Sequence, residues 1–80
     1  MKAKVYIRYK EGILDPQGKT VGGALDSMGI NGIKELRIGK YIEISFGNIS
    51  KEQAELITDE SCRKLLANPN TETYHFEVEE

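Results

Sequence analysis

The chain has 80 residues, a formal net charge of −2 and 30% charged residues of both signs, a balance that argues against a nucleic-acid footprint or a polybasic membrane patch. A chain this short buries only about 60% of its unfolded surface or a little more, so its core is small and a partner subunit is an expected source of stability. No apolar run approaches the roughly 20 residues of a membrane span, and Met1-Lys2-Ala3-Lys4-Val5 lacks the apolar core of a signal peptide, so one cytoplasmic domain over residues 1–80 is expected.

From Ala3 to Tyr9 the pattern alternates, with Ala3, Val5, Ile7 and Tyr9 on one face and Lys4, Tyr6 and Arg8 on the other. That is a strand with one buried and one wet face. Glu11 to Lys19 reads as a loop, with Asp15-Pro16-Gln17-Gly18 suited to a type I turn. Thr20 is the expected N-cap of a first helix whose stripe is Val21, Ala24, Leu25 and Met28 and whose stop is Gly29. Gly22 and Gly23 each cost such a helix about 1 kcal/mol against Ala. Close approach of another backbone would explain them, and plain sequence drift would do so equally.

Leu36 and Ile38 then suggest a short strand, Gly39-Lys40 a two-residue hairpin turn, and Ile42, Ile44 and Phe46 the returning strand. A second helix is strongly signalled. Ser50 and Gln53 have the spacing of a capping box, and Ile49 and Ala54 that of a hydrophobic staple. Its expected core stripe is Ala54, Ile57, Ser61 and Leu65, with Asp59 and Arg63, and Glu60 and Lys64, as charge pairs on the wet side and Leu56 off the stripe. Asn68-Pro69 ends this helix. Tyr74, Phe76 and Val78 alternate with His75, Glu77 and Glu79 as a last strand. The order β-α-β-β-α-β predicts an α+β two-layer sandwich, with two helices on one face of a mainly antiparallel four-stranded sheet.

No catalytic constellation is legible. The single cysteine, Cys62, falls within the helical pattern and reads as a packed small hydrophobe; the single histidine, His75, sits on the wet side of a strand, and neither has companions for a zinc site. Gly39-Lys40 lacks the spacing of a Walker loop, and the helix-one glycines lack that of a dinucleotide fingerprint. An RNA-recognition sheet would need a basic-aromatic octet, which Tyr41-Ile42-Glu43-Ile44-Ser45-Phe46 does not supply.

Three strings at element boundaries carry more information: Asp15-Pro16-Gln17-Gly18, Arg37-Ile38-Gly39-Lys40, and Leu65-Leu66-Ala67-Asn68-Pro69 followed by Glu72 and Tyr74. In their order and spacing the chain resembles the PurS family, the small subunit of phosphoribosylformylglycinamidine (FGAM) synthase, over nearly its whole length. The resemblance implies a non-catalytic subunit that bridges a PurQ glutaminase and a PurL synthetase, with ATP and Mg used by the complex and no cofactor on this subunit. It also implies partner contacts at Asp15, Pro16, Gln17, Gly18, Arg37, Gly39, Lys40, Asn68, Pro69, Glu72 and Tyr74, of which Gln17, Arg37 and Lys40 carry polar side chains that no turn requires. Asn70, Thr71 and the Gly22-Gly23 pair depart from the family pattern. A homodimer or dimer of dimers is expected, because an open sheet leaves edges for another copy. The competing readings are a stand-alone ferredoxin-like ligand-binding module and a small acyl-phosphate hydrolase; the latter needs an arginine-bearing loop after the first strand, where Lys10-Glu11-Gly12-Ile13 stands instead.

Overall fold

The computed structural model describes all 80 residues. The elements are β1 (Lys2–Tyr9), α1 (Pro16–Ser27), β2 (Lys40–Ser45), α2 (Lys51–Ser61) with a π-helical continuation (Cys62–Leu66), and β3 (Glu72–Glu79). The strands form one antiparallel sheet in the order β2-β1-β3, with Val5 opposite Ile42 on one side and Phe76 on the other. Alternation on β1 delivers Ala3, Val5 and Ile7 to the core, where they meet Ala54, Cys62, Ala67 and Val78. Burial of Val5 and Ile7 stabilises the fold by about 1.5–3 kcal/mol each. On the opposite face Tyr6 lies between Tyr41 and His75, with ring centroids 5.1 and 4.8 Å away.

The signals around α2 hold. Ser50 accepts from the Gln53 amide while the Gln53 side chain accepts from the Ser50 amide, and Ile49 packs into the cluster that buries Ala54. The expected stripe is corrected, however. The helix faces the sheet with Ala54, Thr58 and Cys62, whereas Ile57 is largely open and Leu65 is 83% exposed. The Thr58 hydroxyl donates to the Ala54 carbonyl at 2.7 Å, so it enters the core with its polar group satisfied. The wider π-helical turn then points Leu66 inward and leaves Leu65 outside.

Three further expectations change. Asp15, not Thr20, caps α1: Pro16 occupies the first helical position with its φ already fixed, so the helix starts before Thr20 is reached. Gly29 does end it, in the left-handed conformation (φ 83°), with Gly29 and Ile30 amides donating back to Asp26 and Leu25. Residues 36–38 form no strand and Gly39-Lys40 no hairpin turn, so the sheet has three strands and not four. A Gly-X hairpin turn needs a positive φ at the glycine, which Gly39 does not have. Gly39 instead runs straight past β1, where a Cβ would press on the Ile7 carbonyl.

The two helices therefore do not share the sheet's inner face. α2 covers β1 and β3, and α1 packs on the segment leading to β2. Gly18 permits this: a Cβ there would stand 2.5 Å from the Leu36 carbonyl oxygen, and Gly22 passes the Leu36 side chain one turn later. Val21 and Met28, expected in the core, are 39% and 72% exposed. The chain measures 50 × 25 × 14 Å with a radius of gyration of 16.1 Å, against about 12 Å for a compact chain of this length. No helix is long and apolar enough to cross a membrane.

Candidate functional site

The end of β1 and the starts of α1, β2 and β3 meet at one end of the sheet. A clasp organises this meeting point. Asp15 Oδ1 accepts from the Gly18 amide at 2.8 Å, which caps α1, and Oδ2 accepts from the Ile38 amide at 2.7 Å. Those two donors, Gly18 first, hold the Asp15 carboxyl below the usual carboxylate range. Arg37 closes the other side, donating to the Tyr9 carbonyl and, at 2.7 Å, to Glu11.

Beside the clasp lies a polar hollow of about 230 Å³ lined by Arg8, Tyr9, Gln17, Ile38, Gly39, Lys40 and Glu72. Lys40 Nζ stands 3.6 Å from Glu72 Oε2, and Glu72 Oε1 accepts from the Asn68 amide at 2.7 Å. Glu72 is thus committed on both oxygens, whereas Arg8, Gln17 and Lys40 remain open to solvent. Nothing here pairs a nucleophile with a base. The arrangement presents cationic and amide donors on a rigid rim, which suits an anionic partner surface.

The structure thus sorts the residues singled out from sequence. Gln17, Gly39, Lys40 and Glu72 line the hollow; Asp15, Gly18 and Arg37 build the clasp next to it; Pro16 starts α1. Asn68 and Pro69 sit in the turn before β3, where the Asn68 side chain accepts from the Asn70 amide at 3.0 Å. Tyr74 lies apart, its hydroxyl donating at 2.6 Å to Asp59 on α2. That bond, followed by the one from Arg63, lowers the Asp59 carboxyl below its ordinary range. Sequence reasoning missed Arg8 and Glu11. Arg8 was visible only as the last wet-side residue of β1, and nothing local marks Glu11 as the partner of Arg37, 26 positions away.

Known proteins share this fold over nearly its whole length. The PurS family, described as phosphoribosylformylglycinamidine (FGAM) synthase, matches residues 2–80. The phosphoribosylformylglycinamidine synthase subunit PurS of Bacillus subtilis is 47% identical over 79 residues, covering 99% of this chain and 93% of its own. The crystal structure of Methanocaldococcus jannaschii PurS, one of the subunits of formylglycinamide ribonucleotide amidotransferase, superposes with a TM-score of 0.89 at 39% identity, covering 99% of this chain and 95% of that one. A chain in the structure of PurLQS from Thermotoga maritima does so with a TM-score of 0.86 at 32% identity, covering 95% and 93%. Matched across its length in both sequence and fold, this chain belongs to the PurS family of FGAM synthase subunits.

Proposed function

We propose that this chain is a non-catalytic bridge in FGAM synthase, joining a PurL synthetase to a PurQ glutaminase for purine biosynthesis. The observation that carries the reading is the hollow, where four element ends bring Arg8, Gln17 and Lys40 to one exposed rim without a nucleophile-base pair. A bridge needs recognition groups on a rigid frame, and the Asp15 and Arg37 clasp supplies the frame. The likeness to a chain of the T. maritima PurLQS structure supports the same reading. Ammonia released from glutamine in open water would be protonated and lost, so fixing the geometry of the two enzymes serves the reaction directly. ATP and Mg are used by the enzymes of the complex, and no cofactor is assigned to this subunit.

The chain also assembles with itself in this reading. Its elongated form and the uncovered half of its sheet leave the two-layer cover to be completed by assembly. The test is reconstitution: PurL and PurQ with and without this chain, assayed with glutamine and with ammonium salts as nitrogen source. Glutamine-dependent synthesis should require the chain and ammonia-dependent synthesis should depend on it far less. Turnover of glutamine or of formylglycinamide ribonucleotide by the isolated chain would overturn the reading.

A further inference from the structure

The chain holds four asparagines, Asn31, Asn48, Asn68 and Asn70, and the fold treats the backbone nitrogen that follows each of them differently. The Ile49 amide donates to the Gly47 carbonyl at 2.9 Å, and the Thr71 amide to the Asn68 carbonyl at 3.2 Å. Both of these residues are also β-branched, so their side chains crowd the nitrogen. Pro69, after Asn68, has no N–H at all. Gly32, after Asn31, differs on every count. Its amide donates to no group of the chain, a Cβ on it would meet nothing within 4 Å, and both residues are exposed. The other pair of a side-chain amide and a glycine shows the contrast: Gln17 precedes Gly18, whose amide is tied to Asp15 at 2.8 Å and which is buried.

We propose that Asn31-Gly32 is a site of spontaneous covalent modification, at which Asn31 deamidates through a succinimide to aspartate and isoaspartate while the other asparagines persist. The step consumes only water. Hydroxide takes the Gly32 amide proton and the nitrogen attacks Asn31 Cγ; the N–Cγ bond forms, the Cγ–Nδ2 bond breaks, and ammonia leaves with a proton from water. Water then opens the ring, at Cγ to give aspartate or at the Asn31 backbone carbonyl carbon to give isoaspartate, with nothing oxidised or reduced. Attack needs a nitrogen free to lose its proton and to turn toward the side chain. A hydrogen-bonded amide must first give up its partner, and a side chain on the following residue would stand in the path. The turn between α1 and β2 builds in this vulnerability, because Gly32 holds a φ of 93° that glycine adopts without steric cost and other residues rarely reach. The product also changes the frame. Ile30, Gly32 and Ile33 line a cavity of about 410 Å³ between α1 and the segment leading to β2. Isoaspartate inserts a methylene into the main chain there, and either product adds one negative charge to a chain whose formal charge is −2.

The experiment incubates the full chain, folded in mildly alkaline buffer and unfolded in the same buffer with guanidinium chloride, and follows both by tryptic digestion and mass spectrometry. Asn31 carries the only side-chain amide in the peptide from Thr20 to Lys34. In the folded chain this peptide should gain the mass difference between a hydroxyl and an amino group, elute as two products and accept methyl groups from an isoaspartyl methyltransferase. Its rate should match that of the unfolded chain, while the peptides holding Gln17, Asn48, Asn68 and Asn70 keep their masses. Asn31→Gln, which would have to close a larger and slower-forming ring, should lose the product with an unchanged circular dichroism spectrum. Conversion far slower in the folded chain than in the unfolded one would overturn the proposal, because the fold or its assembly would then shield the pair. Conversion at equal rates across the four asparagines of the folded chain would overturn it as well.

Discussion

Asp15 and Ile38, 23 positions apart, are joined by a 2.7 Å hydrogen bond from the Ile38 amide to the carboxylate that also caps α1. One side chain therefore sets where the helix begins and where the chain enters β2. Replacing Asp15 with Ala should release both the Gly18 and Ile38 amides. Hydrogen exchange is expected to accelerate at those two amides and through the first turn of α1, with the amides of β1 and β3 unchanged; uniform acceleration would show that the clasp and the sheet unfold together.

Asp59, Asp15, Glu43 and Glu60 are all held below their ordinary carboxylate range by hydrogen bonds, from Tyr74, the Gly18 amide, Tyr41 and Lys64 respectively. A carboxyl whose pKa is depressed by folding contributes stability that is fully present above its unfolded value and is lost as pH falls through the folded one. The melting temperature should hold steady down to about pH 5 and fall below about pH 4, the unfolded carboxylate range. Tyr74→Phe removes the largest cause at Asp59, so its melting curve should start lower at neutral pH and decline less steeply in acid. Parallel curves for variant and wild type would remove Asp59 from the acid response.

Glycines at positions 23 and 39 should respond to alanine in opposite directions. A Cβ at Gly39 meets the Ile7 carbonyl of the central strand, a backbone that cannot retreat without disturbing the sheet, and the expected loss is about 1–3 kcal/mol. Gly23 has open space around it inside a helix, and Ala there should add about 0.5–1 kcal/mol. Thermal or urea denaturation decides both.

At the hollow, Gln17→Ala with Lys40→Gln should leave the chain folded, because both side chains reach solvent and neither closes the clasp. Binding to the synthetase should weaken at least about tenfold, the scale of one lost charged contact. Arg37→Gln is a different case. It unties the Tyr9 carbonyl and Glu11, so folding and binding should suffer together. Equal affinities for wild type and the Gln17, Lys40 variant would leave the hollow without a part in the bridge.

What was legible in the sequence was short-range. Alternation on β1, the capping box at Ser50, the stop at Gly29 and the inward Tyr74, Phe76 and Val78 depend on neighbours within a turn or two, and all were recovered. The position of α1 was not. It is set by what Gly18 lacks, a side chain that would hit Leu36, and hydrophobic patterning does not register an absence. Leu36 and Ile38 alternate like a strand, but the Ile38 amide goes to Asp15, so the ladder has no donor there. At the site the turn residues stood out because turns need particular residue types, whereas Arg8 and Glu11 acquire meaning only when strand ends converge.

The order of strands bears on how the chain is made. β1 precedes both of its neighbours in the chain and is the central strand of the sheet, and Lys2 finds its partner in Glu79. Its second edge stays open until β3 has been synthesised, so the sheet closes only once the last of its three strands is made. Such long-range pairing is slow compared with helix formation. Until it occurs, Ala3, Val5 and Ile7 stand on an unpaired strand edge. The nascent chain meets its hazard of misassociation in that interval, with Lys2, Lys4 and Arg8 alternating among the apolar residues as the charges that discourage it.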